Sequence, residues 1–203
     1  INNIKNSGSS LTRKYGLDAS SGKYILFVDS DDWIDIDMVS KMYNAAESNN
    51  ADIVCCDMIL HYKNRQVYKK DRYRDVKNND KLKALVGGYI LPSMTNKLIE
   101  RKLLLNVVFK EFQFGEDVYI MTQLFYFSKN AIYIPEAFFH YNKLNYHSLS
   151  TKIDIRTVAD IKDMYNSICE FLKSKGTYEE LIKYHRTRLI NCLLYTSPSP
   201  RDR

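Results

Sequence analysis

The sequence predicts an α/β domain followed by a helical annex, and three observations carry the prediction. Short apolar β-type runs alternate with helical stretches through the first part of the chain, two long amphipathic helical patterns gather at its end, and one apolar strand runs straight into a cluster of aspartates. In "YILFVDSDDWID" the run Tyr24 to Val28 reads as a strand buried on both faces, as in a parallel sheet, and it leads into Asp29, Asp31, Asp32 and Asp35. Met38, Val39, Met42, Ala45 and Ala46 then recur at helical spacing, with Asp35 or Asp37 placed to cap the helix start. "ADIVCCDMIL" is a second strand, and "NRQVYKK" returns antiparallel to it. Helical pattern covers about Lys81 to Ile90 and Lys97 to Leu105, with "LPSM" as the breaker between them. Val118 to Phe127 is apolar nearly all round, which marks a buried helix that begins just after Gly115. "AIYIP" follows as a strand. From Ile153 onward, Arg156 to Lys175 and Tyr178 to Asn191 read as amphipathic helices separated by "KGT", a helix stop followed by a cap.

The chain has 203 residues, 45% of them hydrophobic and 13% aromatic, which is enough for one substantial core and unlike a disordered sequence. The net charge of +6 favours acidic partners such as nucleotide phosphates, phospholipid surfaces or nucleic acid, without choosing among them. Cys55, Cys56, Cys169 and Cys192 have neither metal-ligand spacing nor the look of a disulfide framework, so a reducing cytoplasm is the simpler expectation. No apolar run approaches the roughly 20 residues of a membrane helix, and "INNIKNSGSS" lacks the apolar core of a signal peptide.

Both chain ends look unlike protein ends. The chain opens on Ile1 and reaches the glycine-serine loop "NSGSS" before any strand, which reads as a missing front. "CLLYTSPSPRD", Cys192 to Asp202, resembles the translation of an adapter used in preparing sequencing libraries, so residues 192–203 are set aside as a non-native tail. A flexible Ser/Pro-rich tail is the alternative. The expected division is a domain over residues 1–150, a helical extension over 151–191 and this tail.

Carboxylates just beyond a buried strand stand where open α/β sheets place their ligands. Hard oxygens at such close spacing suit Mg²⁺ or Mn²⁺, ions that keep several waters and bridge to substrate phosphates. A solvated turn that caps the next helix would need only Asp35 or Asp37. An EF-hand loop fails, because Ile34 stands at its glycine position, Ser40 at its last ligand position and Trp33 in a ligand slot. A phosphohydrolase with an aspartyl nucleophile stays open on turn chemistry alone. Glu116 and Asp117 after Gly115 have the plain reading of helix capping, since a helix N-terminus favours negative charge by about 0.3–1 kcal/mol. Such a position would also keep Asp117 ionised near neutral pH.

The longer context "NSGSSLTRKYGLDASSGKYILFVDSDDWID" resembles the central signature of family 2 glycosyltransferases with the GT-A fold. The likeness continues in family order through "NKLIERKLL" (Asn96 to Leu104), "FGEDVYIMTQLF" (Phe114 to Phe125) and "IPEAFFHYNKLNYHSLS" (Ile134 to Ser150). The resemblance implies an incomplete GT-A domain, a Rossmann-like fold of nucleotide-diphospho-sugar transferases, with C-terminal helices. It also implies an inverting enzyme that moves a sugar from a nucleotide-diphosphate donor of the uridine type to a glycan or lipid-linked acceptor hydroxyl, in bacterial surface polysaccharide synthesis.

Carried over residue by residue, the family's DxD motif falls on Asp29-Ser30-Asp31 with Asp32 just beyond. Asp31 first and Asp32 second are implied as ligands of Mg²⁺ or Mn²⁺, which leaves Asp29 to the nucleotide ribose or to a water in the metal shell. The Glu-Asp motif falls on Glu116 and Asp117, with Asp117 as catalytic base. Arg13, Asn6 and Gly8 are implied on the donor side, and His147, rather than His140, as a further metal ligand. Asn96 and Lys97 read as structural or acceptor-side. Lys14 stands where most members have Asn, which puts the polar detail near the donor in doubt, and the family's first strand and uracil-contacting turn belong upstream of Ile1. A chain without them is expected to bind nucleotide poorly, so a truncated, non-catalytic piece is the alternative to an enzyme, and the phosphohydrolase is a third. No nucleic-acid partner is implied. The expected place is the cytoplasm, at the inner face of the membrane, where the Arg65 to Arg74 run could rest on anionic lipid.

Overall fold

A computed structural model describes residues 8–71, 80–110, 112, 114–144 and 155–196, the side chains of 155, 156 and 191–196 excepted. Of the residues singled out above, Asn6, His147 and part of the Arg65 to Arg74 run lie outside the described residues.

A six-stranded sheet organises the domain. Its axis is β3 (Ile53–Tyr62), which runs parallel to β6 (Ala131–Asn142) along one edge. The other edge is shared by β5 (Lys97–Glu100), opposite Ile53 to Cys55, and β4 (Arg65–Lys69), opposite Met58 to Tyr62, both antiparallel. Beyond β5 lies β1 (Tyr24–Leu26), and beyond β6 lies β2 (Trp33–Ile34), again antiparallel.

Strand β3 is apolar without alternation because both its faces are covered. Ile53 and Cys55 pack into one core with α3 (Lys81–Val86), α4 (Arg101–Leu104) and α5 (Glu116–Phe127), whereas Val54, Cys56 and Met58 pack into a second with α2 (Met38–Asn49). The adjacent cysteines thus point to opposite layers, both free, and burial pushes both thiols up to about 12. Opposite Cys56 and Asp57 the β6 register slips past Pro135, which has no N–H to give the ladder.

The alternation of strand and helix holds, with three corrections. The run Tyr24 to Val28 is not a strand buried on both faces of a parallel sheet. β1 is antiparallel to β5, half-buried, and stands at the end of the sheet, with Val28 exposed. Lys97 to Leu105 is not one helix. Lys97–Glu100 pairs as β5 between β1 and β3, and only Arg101–Leu104 is helical, so sheet pairing overrides a local helical pattern. Asp37 takes the first cap position of α2, but its carboxylate pairs with Lys41 at 2.9 Å instead of capping.

A helix not read from the pattern, α1 (Gly8–Ala19), precedes β1. It buries only Ser10 and Leu17, so its apolar stripe is too thin to announce itself. The annex is formed by α6 (Ile155–Ser174) and α7 (Tyr178–Thr196); the α7 backbone continues past Asn191. Ile161, Met164, Ile168 and Leu172 recur at helical spacing on α6 and pack against Val118 and Tyr119 of α5, which docks the annex on the domain. No helix among the described residues is long and apolar enough to cross a membrane.

Candidate active site

The carboxyl end of β1, the start of α5, helix α1, the loop over residues 91–95 and the α6–α7 annex surround a cleft of about 1140 Å³. Arg13 is its hub. Residues 9 and 13 are one turn apart on α1 and share a face. Arg13 Nη1 donates to Asp117 Oδ1 at 2.6 Å and Glu116 Oε1 at 3.3 Å, and Nη2 donates to Asp29 at 3.2 and 3.4 Å. Ser9 Oγ donates to Glu116 Oε1 at 2.6 Å. The fold has brought together acids from the turn after β1 and from the start of α5, through an arginine 104 positions from Asp117. Burial opposes the charge of Arg13, but Asp117, Asp29 and Glu116 more than offset it and hold the guanidinium firmly protonated.

Glu116 and Asp117 occupy the first turn of α5, entered through Gly115 at φ +86°, a backbone that side chains rarely adopt. A Cβ there would also come within 3.3 Å of Met164 on α6, so this glycine serves both the turn and the closeness of the annex. The second oxygen of Asp117 accepts the Met94 N–H at 3.4 Å. Burial pushes the Asp117 carboxyl up to about 6, Arg13 and the Met94 amide pull it back, and Glu116 and Asp29 push it further. The helix N-terminus alone does not set its ionisation, as the sequence suggested; desolvation is the largest influence.

Asp29, Ser30 and Asp31 line the cleft, as do Gly8 and Arg13. Asp32 is turned to the side: its Oδ1 accepts the Asn142 N–H at 2.8 Å, and its Oδ2 is buried with no hydrogen-bond partner. Burial raises the Asp32 carboxyl to about 6, with Asp31 and Asp29 adding to the push. Among the described residues no group of three or more His, Cys, Asp or Glu is arranged to hold a metal ion. The hard oxygens of Asp31, on the cleft, and Asp32, with one oxygen unsatisfied, fit an ion bound by one or two carboxylates that keeps water or phosphate on its other positions.

His140 is committed elsewhere. Its Nε2 lies 2.9 Å from Asp35 Oδ1 and its Nδ1 2.8 Å from His61 Nε2, and the Trp33 ring stacks on it at 5.3 Å. These contacts fasten β2 to β6 next to the acidic turn.

Sequence reasoning missed three parts of the site. Ser9 has no motif of its own. The annex wall, where Met164, Tyr165, Arg188 and Leu189 line the cleft, depends on how α6 and α7 dock. The 91–95 loop was visible as "LPSM", but as a helix breaker and not as a cleft wall.

Known proteins resemble this chain along most of its length. The model of glycosyl transferase family 2 matches residues 1–108. The putative glycosyltransferase EpsH of Bacillus subtilis is 24% identical over 188 residues, covering 88% of this chain and 54% of that protein. The cholesterol galactosyltransferase of Borreliella burgdorferi is 25% identical over 196 residues, covering 87% of this chain and 52% of that protein. The chain thus spans about half the length of the curated relatives it matches. Among solved structures, S. aureus TarS 1-349 superposes with a TM-score of 0.70 at 15% identity, over 97% of this chain and 54% of that one. A second TarS structure, in complex with UDP-GlcNAc, gives 0.67 over 88% of this chain and 53% of that one. The fold is that of the GT-A glycosyltransferases with added C-terminal helices. With the family model covering more than half of its residues, the chain belongs to glycosyl transferase family 2.

Proposed function

We propose that the whole protein is an inverting glycosyltransferase that moves a sugar from a nucleotide-diphosphate donor to an acceptor hydroxyl of a bacterial surface polysaccharide. The observation that carries this reading is the Arg13 cluster, in which an acid of the turn after β1 and the acids of α5 meet across one cleft. Transfer requires relief of charge on the departing diphosphate and a base for the acceptor hydroxyl. A bound Mg²⁺ or Mn²⁺ supplies Lewis-acid relief of that charge, and Asp31 and Asp32 are the residues proposed to hold it. Arg13 adds a fixed cation on the same side and Asp29 faces the nucleotide, with Gly8 and Asn6 completing the donor side. His147 is proposed as a further ligand.

Asp117 acts as the base. Its carboxyl at about 6 leaves it mostly ionised at neutral pH and more basic than an ordinary aspartate, which suits proton removal from a sugar hydroxyl. With the base across the anomeric carbon from the leaving group, attack is in line and the configuration inverts. Uridine diphosphate sugars are the proposed donors, as UDP-GlcNAc is bound by the structurally similar TarS. A glycan or lipid-linked acceptor at the inner membrane face is the proposed recipient.

The test is transfer or hydrolysis by the full-length protein with Mn²⁺ and a panel of nucleotide sugars, beside Asp31→Ala and Asp117→Asn. Asp117→Asn should lose about 10²–10⁴-fold in rate. The reading fails if the intact protein splits no nucleotide sugar or if both variants keep full rate. Turnover of simple phosphate esters alone would move the function to a phosphohydrolase.

A further inference from the structure

Behind the cleft lies a second set of ionisable side chains, whose work the motif around Asn96 and Lys97 leaves open. Lys97, the first residue of β5, is 0% exposed, an unusual place for a lysine. Its ammonium has three protons to donate, and three acceptors meet them: Leu91 O at 2.9 Å, Ser93 O at 2.8 Å and Asn96 Oδ1 at 2.8 Å. Asp71, also 0% exposed, stands 3.6 Å from it and accepts the Leu91 N–H at 3.3 Å. Asn96 joins the two, donating from Nδ2 to Asp71 Oδ2 at 3.4 Å and to Cys56 O of β3 at 2.6 Å. The Asp71 N–H in turn reaches Asp57 on β3, whose carboxylate also takes the hydroxyls of Tyr68 and Tyr133.

This network grips one segment. Two carbonyls bound by Lys97 and the amide bound by Asp71 all belong to residues 91–93. That segment has no regular structure of its own, and Leu91, Pro92, Ser93 and Thr95 line the cleft. Its next amide, that of Met94, is the one aimed at Asp117 Oδ2. From the buried ammonium to the carboxylate the path is Lys97, the Ser93 carbonyl, the Met94 peptide and Asp117.

We propose that Lys97 is a positioning residue: by holding the 91–94 backbone against β3 it fixes the Met94 N–H on Asp117 and thereby the direction in which that carboxylate faces the cleft. The charge of the ammonium is what makes the grip strong, since hydrogen bonds from a charged donor are roughly twice as strong as neutral ones. Its burial excludes water that would otherwise compete for the same carbonyls. The role in catalysis rests on reading Asp117 as the base, but the mechanical link from Lys97 to Asp117 does not.

The link is tested by NMR on the full chain, without donor or acceptor. In the unaltered protein the Met94 amide proton shift should follow the titration of Asp117, and Asp117→Asn should move that amide. In Lys97→Met this dependence should disappear, and the amides of residues 91–95 should exchange with solvent at least about tenfold faster, as expected when a net hydrogen bond's worth of local stability is lost. Lys81→Met is the control. It removes another buried lysine, one whose Nζ donates to Ala131 O at the start of β6, so both signals should stay as in the parent. If Lys97→Met does not fold, Lys97→Gln, which keeps a donor without the charge, takes its place and should weaken the same coupling; an unchanged coupling there, or a Met94 amide indifferent to Asp117, overturns the proposal. So does a Lys97→Met protein that keeps the coupling, or a Lys81→Met protein that loses it equally. In the active full-length enzyme Lys97→Met should lower kcat at least about tenfold with KM nearly unchanged, the sign of an interaction that matters in the transition state. If transfer is absent in the parent as well, the function reading falls and the NMR result on the link still stands.

Discussion

Two clusters of charge flank the 91–95 loop, and they follow opposite plans. On the cleft side a single arginine faces three carboxylates, with side chains between 10% and 44% exposed. Behind the loop Lys97 and Asp71 are sealed at 0%, Asp57 at 1%, and the ammonium has an acceptor for every proton. The first has an excess of negative charge and access to solvent, and under the proposed function its arginine would exchange a carboxylate for a phosphate while the nearby acids take up a cation. The second is closed and fully hydrogen-bonded, and it can only hold a shape. Charge placed for binding is left open to solvent, and charge placed for structure is sealed and held by hydrogen bonds.

That contrast can be broken at either cluster. The largest effect should come from Lys97→Met, which strands Asp71 in the interior and costs about 3–5 kcal/mol, the range for losing one partner of a buried pair. Chemical denaturation should report it as an earlier midpoint, and a loss below 1 kcal/mol would erase the distinction between the clusters. Next is Arg13→Gln, expected to cost about 1–3 kcal/mol because the three acids left behind can still be hydrated. The same substitution sharpens the electrostatic side. If the full-length protein is the proposed transferase, its rate should rise with pH through about 6 as Asp117 loses its proton, and this limb should move to higher pH without Arg13, since Arg13 pulls Asp117 down. A shift to lower pH would mean that the guanidinium is not what restrains that carboxyl.

The smallest effect belongs to Asp32→Asn. Burial lifts the Asp32 carboxyl to about 6, above the ordinary aspartate value of about 3.9, so its charged form is a burden on the native state at neutral pH. That burden fades as pH falls from about 6 and is nearly gone by about 4, where the folded form is protonated and the unfolded form is about half so. Asn at this position should raise stability at pH 7 by on the order of 1 kcal/mol after screening by solvent, with no gain at pH 4. Paired thermal melts at the two pH values check both size and sign. A destabilised variant at pH 7 would show that the bond to the Asn142 amide needs a carboxylate.

The acids were legible because their signal is local. Asp29 to Asp32 follow an apolar run and Glu116-Asp117 follow a glycine, so strand end and helix start could be placed from neighbours alone. Arg13 could be assigned to the donor side by motif, but its grip on Asp117 depends on α1 lying beside α5, which no short stretch encodes. Lys97 was the hardest. A lysine in "NKLIE" reads as the start of a helical stretch until Leu98 and Ile99 are seen paired with both β1 and β3, and then its burial follows. The short strand Trp33–Ile34 left no pattern because two residues carry no period.

The position of β1 has a practical consequence. Among the described residues Tyr24, Ile25 and Leu26 pair with β5 along one side, at the end of the sheet, and the exposed Val28 continues the same apolar run. Such a margin is a template for strand addition between molecules. Wherever that margin is left uncovered, association should grow with concentration, and a lysine placed on it should reduce that association.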